Sequence, residues 1–196
     1  MILSPDDPLA VPGQRIQVLG TSGAGKTTLA RDVSRLLGFA HVELDAIHWQ
    51  ANWTPRARED FCAEVSAALA GPEFVVDGHY SSLLGDVVRR RVDTVLWLDY
   101  TFALVMRQVV DRTLRRMALR QTLWNGNRES LRLTLSKDSI LLWVVQTHGR
   151  RARELPREFE SPAFDGVTVI RFRNPTQVKR WLGRIAGCRG RASGQE

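Results

Sequence analysis

GTSGAGKTT, residues Gly20 to Thr28, fits the phosphate-binding loop pattern G-x-x-x-x-G-K-[ST], with Gly20, Gly25, Lys26 and Thr27 at the required spacing. The apolar-rich run Arg15–Leu19 in front of it suits a buried strand, and Leu29, Val33, Leu36 and Leu37 behind it recur at helical spacing. Glycines let backbone N–H groups turn inward around phosphate oxygens, and a helix N-terminus adds partial positive charge. The stretch therefore predicts ATP binding by Gly20, Ser22, Gly23, Ala24, Gly25, Lys26, Thr27 and Thr28. Lys26 is placed to reach the β/γ-phosphates and the Thr27 hydroxyl to hold Mg²⁺. The alternative is a chance glycine turn, which leaves the flanking strand and helix unexplained.

Outward from the loop, five strands are expected: Arg15–Leu19, His41–Leu44, Phe74–Val76, Thr94–Leu98 and Val167–Phe172. Helices are expected over Lys26–Leu37, Pro55–Ala70, Ser82–Arg91, Phe102–Arg120, Lys137–Leu155 and Pro175–Ala186. Gly38 stands where a helix-ending residue of positive φ is needed, and Thr54-Pro55 reads as a cap followed by proline in the first turn. Alternating strands and helices predict an α/β fold, a five-stranded parallel sheet with helices on both faces. Active sites in such sheets lie at the carboxyl ends of the strands.

The 196 residues suit one domain, with an N-terminal extension over 1–14, the main unit over 15–186 and a flexible tail over 187–196. No stretch approaches the roughly 18 apolar residues of a membrane span, and MILSPDDPLAVPG lacks the basic-then-apolar order of a secretory signal. Two cysteines, Cys62 and Cys188, without metal or redox spacing fit a reducing cytoplasm. The net charge of +7 comes largely from arginine, since Lys26 is one of only three lysines. Arginine's planar fork matches phosphate oxygens, so a clamp on two phosphorylated ligands is favoured over non-specific nucleic-acid binding.

Asp45, Asp77 and Asp99 each follow an apolar run and would project from the carboxyl edge of the sheet. Phe74-Val75-Val76-Asp77 is the best segment for a carboxylate that meets Mg²⁺ through water beside Thr27; the alternative for Asp77 is a turn former before Gly78. Asp45 suits the acceptor side, where a carboxylate takes a hydroxyl proton, or else caps a helix. For Asp99 capping is favoured. Among the four histidines only His48 and His79 are placed to line an acceptor pocket, and none has metal-like spacing.

GTSGAGKTT, ELDAIHW, FVVDGHY and DTVLWLDY, in this order and spacing, resemble the P-loop nucleotide-kinase-like proteins, and more narrowly the DNA topology modulation or adenylate-kinase-related group. The resemblance spans Arg15 to about Ile185. It implies a five-stranded parallel sheet, an acceptor segment over about 45–70 and a helical lid over about 112–153. It also implies that arginines of the lid and of the helix after the fourth strand contact the transferred phosphoryl group. Arg112, Arg116 and Arg120 repeat at i, i+4 with Arg115 beside them, and Gln121–Leu131 suits a lid tip carrying Arg128. Arg116 and Arg128 are assigned to that contact, with Arg150, Arg151 and Arg153 able to close from the other side; for each the alternative is a solvated helix face. Asn174 matches the family's adenine-side loop.

Where adenylate kinases carry a Gly-Phe-Pro-Arg-like segment, this chain has Gly78-His79-Tyr80-Ser81. That leaves Arg56 and Arg58 to bind an acceptor phosphate and Trp49 and Trp53 to stack on a base or sugar, or simply to pack. The expected activity is transfer of the ATP γ-phosphoryl group to a small-molecule acceptor. The competing expectation is an ATP-dependent regulator acting on DNA topology or on a protein partner.

Overall fold

The computed structural model describes residues 1–119, 124–126 and 140–192. Its strands are β1 Ile2–Leu3, β2 Arg15–Gly20, β3 Ala40–Glu43, β4 Phe74–Asp77, β5 Thr94–Leu98 and β6 Thr168–Phe172. They form one parallel sheet in the order β1-β6-β5-β2-β4-β3. The sheet thus has six strands, where five were expected. The sixth is the two-residue β1, too short to show periodicity, with Ile2 opposite Val169 and Leu3 opposite Ile170. It is held there from across the chain. The Trp181 indole N–H donates to the Ala10 carbonyl at 2.8 Å, and the Arg184 guanidinium donates to the carbonyls of Asp7 and Ala10. Residues 1–14 therefore lie against the domain.

Among the described residues the α-helices are α1 Lys26–Leu37, α2 Leu44–His48, α3 Arg58–Ala68, α4 Ser81–Leu84, α5 Phe102–Ala118, α6 Ile140–Phe159 and α7 Pro175–Ala192. α1 matches its expected bounds because both ends are written locally. Gly25 (φ 94°) enters it and Gly38 (φ 77°) leaves it in the left-handed region, where a Cβ is costly. α3 begins at Arg58 rather than Pro55, because Pro55 instead pairs with Trp49 across a loop in which Asn52 and Trp53 both take positive φ. The helix expected over Ser82–Arg91 is only α4 and a later 3₁₀ turn, broken at Gly85 (φ 52°). α6 runs past Pro156 to Phe159, and α7 continues to Ala192 beyond the expected stop at Ala186.

Alternation along β2 divides the core. Ile16 and Val18 face α1, α5 and α7, packing with Leu29, Val33, Val109 and Trp181. Leu19 faces the other way, into a cluster with Trp97, Leu155 and Phe159 that seats α6. A third cluster seats α3 on β3 and β4 through Phe61, Val65, Leu69, Phe74 and Val76. On that second face the helical cover therefore comes in two blocks, with a seam between them over β2 and β4.

Many arginines close this architecture. Arg15 pairs with Asp93, Arg171 with Asp99 while lying 4.5 Å over the Trp97 ring, and Arg91 donates to the carbonyls of Ser66 and Leu69. Asp99 thus serves Arg171 rather than capping. Among the described residues no helix is long and apolar enough to cross a membrane.

Candidate active site

The phosphate-loop residues Gly20–Thr28 leave the carboxyl end of β2 and enter α1. Gly23 (φ 85°) lies so close to α5 that an added Cβ would stand 1.9 Å from Val109 Cγ2. Only glycine lets the loop pass there. Gly23→Ala is expected to destabilise the fold by about 3 kcal/mol, from positive φ and overpacking together. Combined with Val109→Ala the two losses should be less than additive in a denaturant melt, because the smaller neighbour removes the collision. Strict additivity would show that the contact is not what fixes the loop.

Lys26 is half-buried, and its Nζ donates to the Thr21 carbonyl at 3.3 Å. Burial of the ammonium lowers its pKa; Asp45 and Asp77 oppose the shift, and Arg151 and Arg112 add to it. Two carboxylates and two guanidiniums are therefore within electrostatic reach of the loop lysine. Arg112 and Arg151 come from α5 and α6, the helices on which the expected lid begins and ends. Arg151 is itself lowered, first by burial and then by Arg150. Arg116 is half-buried one helical turn beyond Arg112 on α5. Arg120 and Arg128 lie outside the described residues.

Beside Thr27, where Mg²⁺ is expected, stands a residue to which the sequence assigns no role. The Thr27 hydroxyl donates to Glu43 Oε1 at 3.3 Å, and Glu43 stands opposite Asp77 in the β3–β4 register. Burial raises the Glu43 pKa, Asp77 and Asp45 raise it further, and a hydrogen bond from Trp124 opposes them. Asp77 is buried at 3% exposure, and its Oδ2 makes no hydrogen bond although His41 Nε2 lies 3.8 Å away. A hydroxyl, a carboxylate and an unsatisfied buried carboxylate oxygen make a hard-oxygen set that fits Mg²⁺ bound mainly through water and substrate phosphates. Among the described residues no group of three or more His, Cys, Asp or Glu could hold a metal ion alone.

Asp45, expected on the acceptor side, is in the first turn of α2, and Tyr80 donates its hydroxyl to Asp45 Oδ1 at 2.5 Å. Burial and the Asp45 charge push the Tyr80 phenol far up, so it remains a donor. His48 is buried against Trp49, Phe61 and Tyr80, and burial lowers its pKa; it packs the segment. Arg56 and Arg58, expected as phosphate ligands, tie loops together. Arg56 donates to the Ile47 carbonyl and pairs with Glu64, both at 2.9 Å, and Arg58 donates to the Leu83 carbonyl. Trp49 and Trp53 meet edge to face at 5.8 Å, and Trp124 joins them at 6.4 Å from Trp53. Asn125 donates to the carbonyls of Trp49 and Ala46, fixing residues 124–126 over α2. Asn174 uses its side-chain oxygen to cap α7, accepting from Gln177 N–H at 3.0 Å.

No protein-family model matches the chain. Over 53 residues the chain is 42% identical to the probable gluconokinase of Schizosaccharomyces pombe; the matched stretch is 26% of this chain and 28% of that protein. The chain thus matches well under two thirds of that relative's length. Similar solved structures include an unliganded sugar kinase from a Janibacter species, at TM-score 0.49 and 20% identity over 88% of this chain and 92% of that one. Shikimate kinase from Bacteroides thetaiotaomicron is similar at TM-score 0.49 and 17% identity, over 89% and 97% of the two chains. Shikimate kinase from Acinetobacter baumannii, in complex with shikimate, is similar at 0.47 and 15%, over 91% and 94%.

Proposed function

We propose that this chain is an ATP-dependent phosphotransferase that moves the γ-phosphoryl group to the hydroxyl of a small-molecule acceptor. The observation that carries this reading is the convergence of Lys26, Thr27, Glu43, Asp45 and Asp77 at one end of the sheet. The glycine loop stands on one side of that group and the Tyr80–Asp45 hydrogen bond on the other. The short match to a probable gluconokinase supports the same chemistry.

In this reading the loop amides and Lys26 hold the ATP phosphates, and Thr27, Glu43 and Asp77 hold Mg²⁺, which neutralises phosphate charge when bound. Tyr80 fixes the Asp45 carboxylate so that its other oxygen faces the acceptor hydroxyl. The hydroxyl oxygen bonds to the γ-phosphorus as the bond from that phosphorus to the β,γ-bridging oxygen breaks. The hydroxyl proton passes to Asp45, and ADP leaves with the bonding electrons. Arg112 and Arg151 join Arg116 and Arg128 as the cations assigned to the moving charge, from a lid over about 112–153, and Asn174 lies on the adenine side. The acceptor segment is the stretch over about 45–70.

The test is release of ADP from Mg·ATP with a panel of hydroxyl acceptors; turnover that no acceptor stimulates would count against the proposal. Within the same assay Glu43→Gln is expected to raise the Mg²⁺ concentration for half-maximal rate by roughly tenfold or more. An unchanged Mg²⁺ requirement would remove Glu43 from the metal side.

A further inference from the structure

The seam between the two helical blocks opens into a half-enclosed crevice of about 160 Å³. Its lining includes Gln17 and Leu19 of β2, His79 and Tyr80 after β4, and Arg89 and Glu158. Tyr80 also donates to Asp45, so the crevice adjoins the acceptor carboxylate through one side chain. We infer that this crevice holds the body of the acceptor, and that the acceptor is a small polyhydroxylated molecule without a phosphate group. The inference rests on the phosphotransferase reading for its biological meaning, but the binding claim stands on the crevice alone.

Size is the first argument. At about 30 Å³ per water in the liquid, the crevice has room for roughly five waters, which suits one small ring or a short polyol chain. Pockets for larger ligands run from roughly 300 Å³ upward, so the crevice matches one small ring better than a whole mononucleotide.

Charge is the second. The polar groups of the lining are already engaged with one another: Arg89 bonds to Asp86, and His79 Nε2 faces Glu158 Oε2. A phosphate entering the crevice would have to break the Arg89–Asp86 pair to find a cation. Hydroxyl groups do not, because each both donates and accepts.

The third argument is geometric. His79 Nε2 and Glu158 Oε2 are 3.6 Å apart, too far for a direct hydrogen bond, and Nε2 is buried without a hydrogen-bond partner. The Glu158 carboxylate is the more accessible of the two, so a hydroxyl in the crevice can donate to it without displacing a direct hydrogen bond. The Gln17 amide is held in the lining by its bond to the Gly78 carbonyl at 3.2 Å, so this edge of the crevice is already ordered.

The experiment is calorimetric titration of the full chain, without ATP, with D-ribose, D-glucose, myo-inositol, D-gluconate, glycerol and AMP. The expected result is that at least one sugar, sugar acid or polyol binds more tightly than AMP. Glu158→Gln and His79→Asn should each weaken that ligand by roughly tenfold, with unchanged melting temperature and unchanged affinity for Mg·ATP. The inference is overturned if AMP binds tightest or if no hydroxyl compound binds below about 10 mM. It is equally overturned if both variants, shown by melting to be folded, bind as the parent does. Binding with the expected losses but no ADP release supports the crevice and sinks the phosphotransferase reading, whereas phosphorylation of AMP sinks the crevice and leaves that reading intact.

Discussion

Lys26→Met is expected to lower Mg·ATP turnover by roughly 10³-fold while leaving the protein folded. Methionine keeps the unbranched reach of lysine and removes only the charge, so the loop keeps its path. The ammonium is half-buried and its pKa is already lowered by burial, which marks it as a group held at an energetic cost to the fold. Replacing it by an apolar side chain should therefore leave the melting temperature unchanged or slightly raised. That combination, activity lost and stability kept, separates a catalytic charge from a structural one. ADP release measured beside a thermal melt checks it, and retention of more than about a tenth of the rate would remove Lys26 from the chemistry.

Asp45→Asn should cost between roughly 10² and 10⁴ in turnover at saturating ATP. The amide oxygen can still accept from Tyr80, so the hydrogen bond at 2.5 Å has a replacement and α2 keeps its seat. What is lost is a site for the acceptor proton. Tyr80→Phe makes the complementary change, retaining the carboxylate and freeing it to rotate, and should give a smaller loss. Single-turnover measurements on both variants check the order. Equal losses would mean that Asp45 acts only as an anchor for Tyr80.

The strand, glycine loop and helix of the expected donor half were legible in the sequence because their instructions are local. A glycine, a lysine and a threonine at fixed offsets define the loop, and the next glycine ends α1 at Gly38, with its N–H on the Ser34 carbonyl. Glu43 was missed for a one-residue reason. The strand was expected to reach Leu44, but β3 stops at Glu43, which becomes the edge residue facing Thr27. The acceptor half depends on partners far apart in the chain: Arg58 on Leu83, Tyr80 on Asp45, His79 on Glu158. Spacing shows that an arginine is near a site, but not which carbonyl across a loop will hold it. The same limit hid β1, whose place is fixed by Trp181 and Arg184 from the last helix.

The three tryptophans beside α2 have a further use. Trp49, Trp53 and Trp124 touch edge to face in a row, and the outermost is hydrogen-bonded to Glu43 on the metal side. Indole emission is sensitive to neighbouring rings and to a carboxylate at the ring N–H, so the row is a native optical probe. Under the proposed function, Mg²⁺ and nucleotide are expected to disturb the Glu43 end, and an acceptor the Trp49 end. Substituting the tryptophans one at a time by phenylalanine would show which ring reports which event. The order in which the two substrates arrive then becomes readable by stopped-flow fluorescence, without a dye.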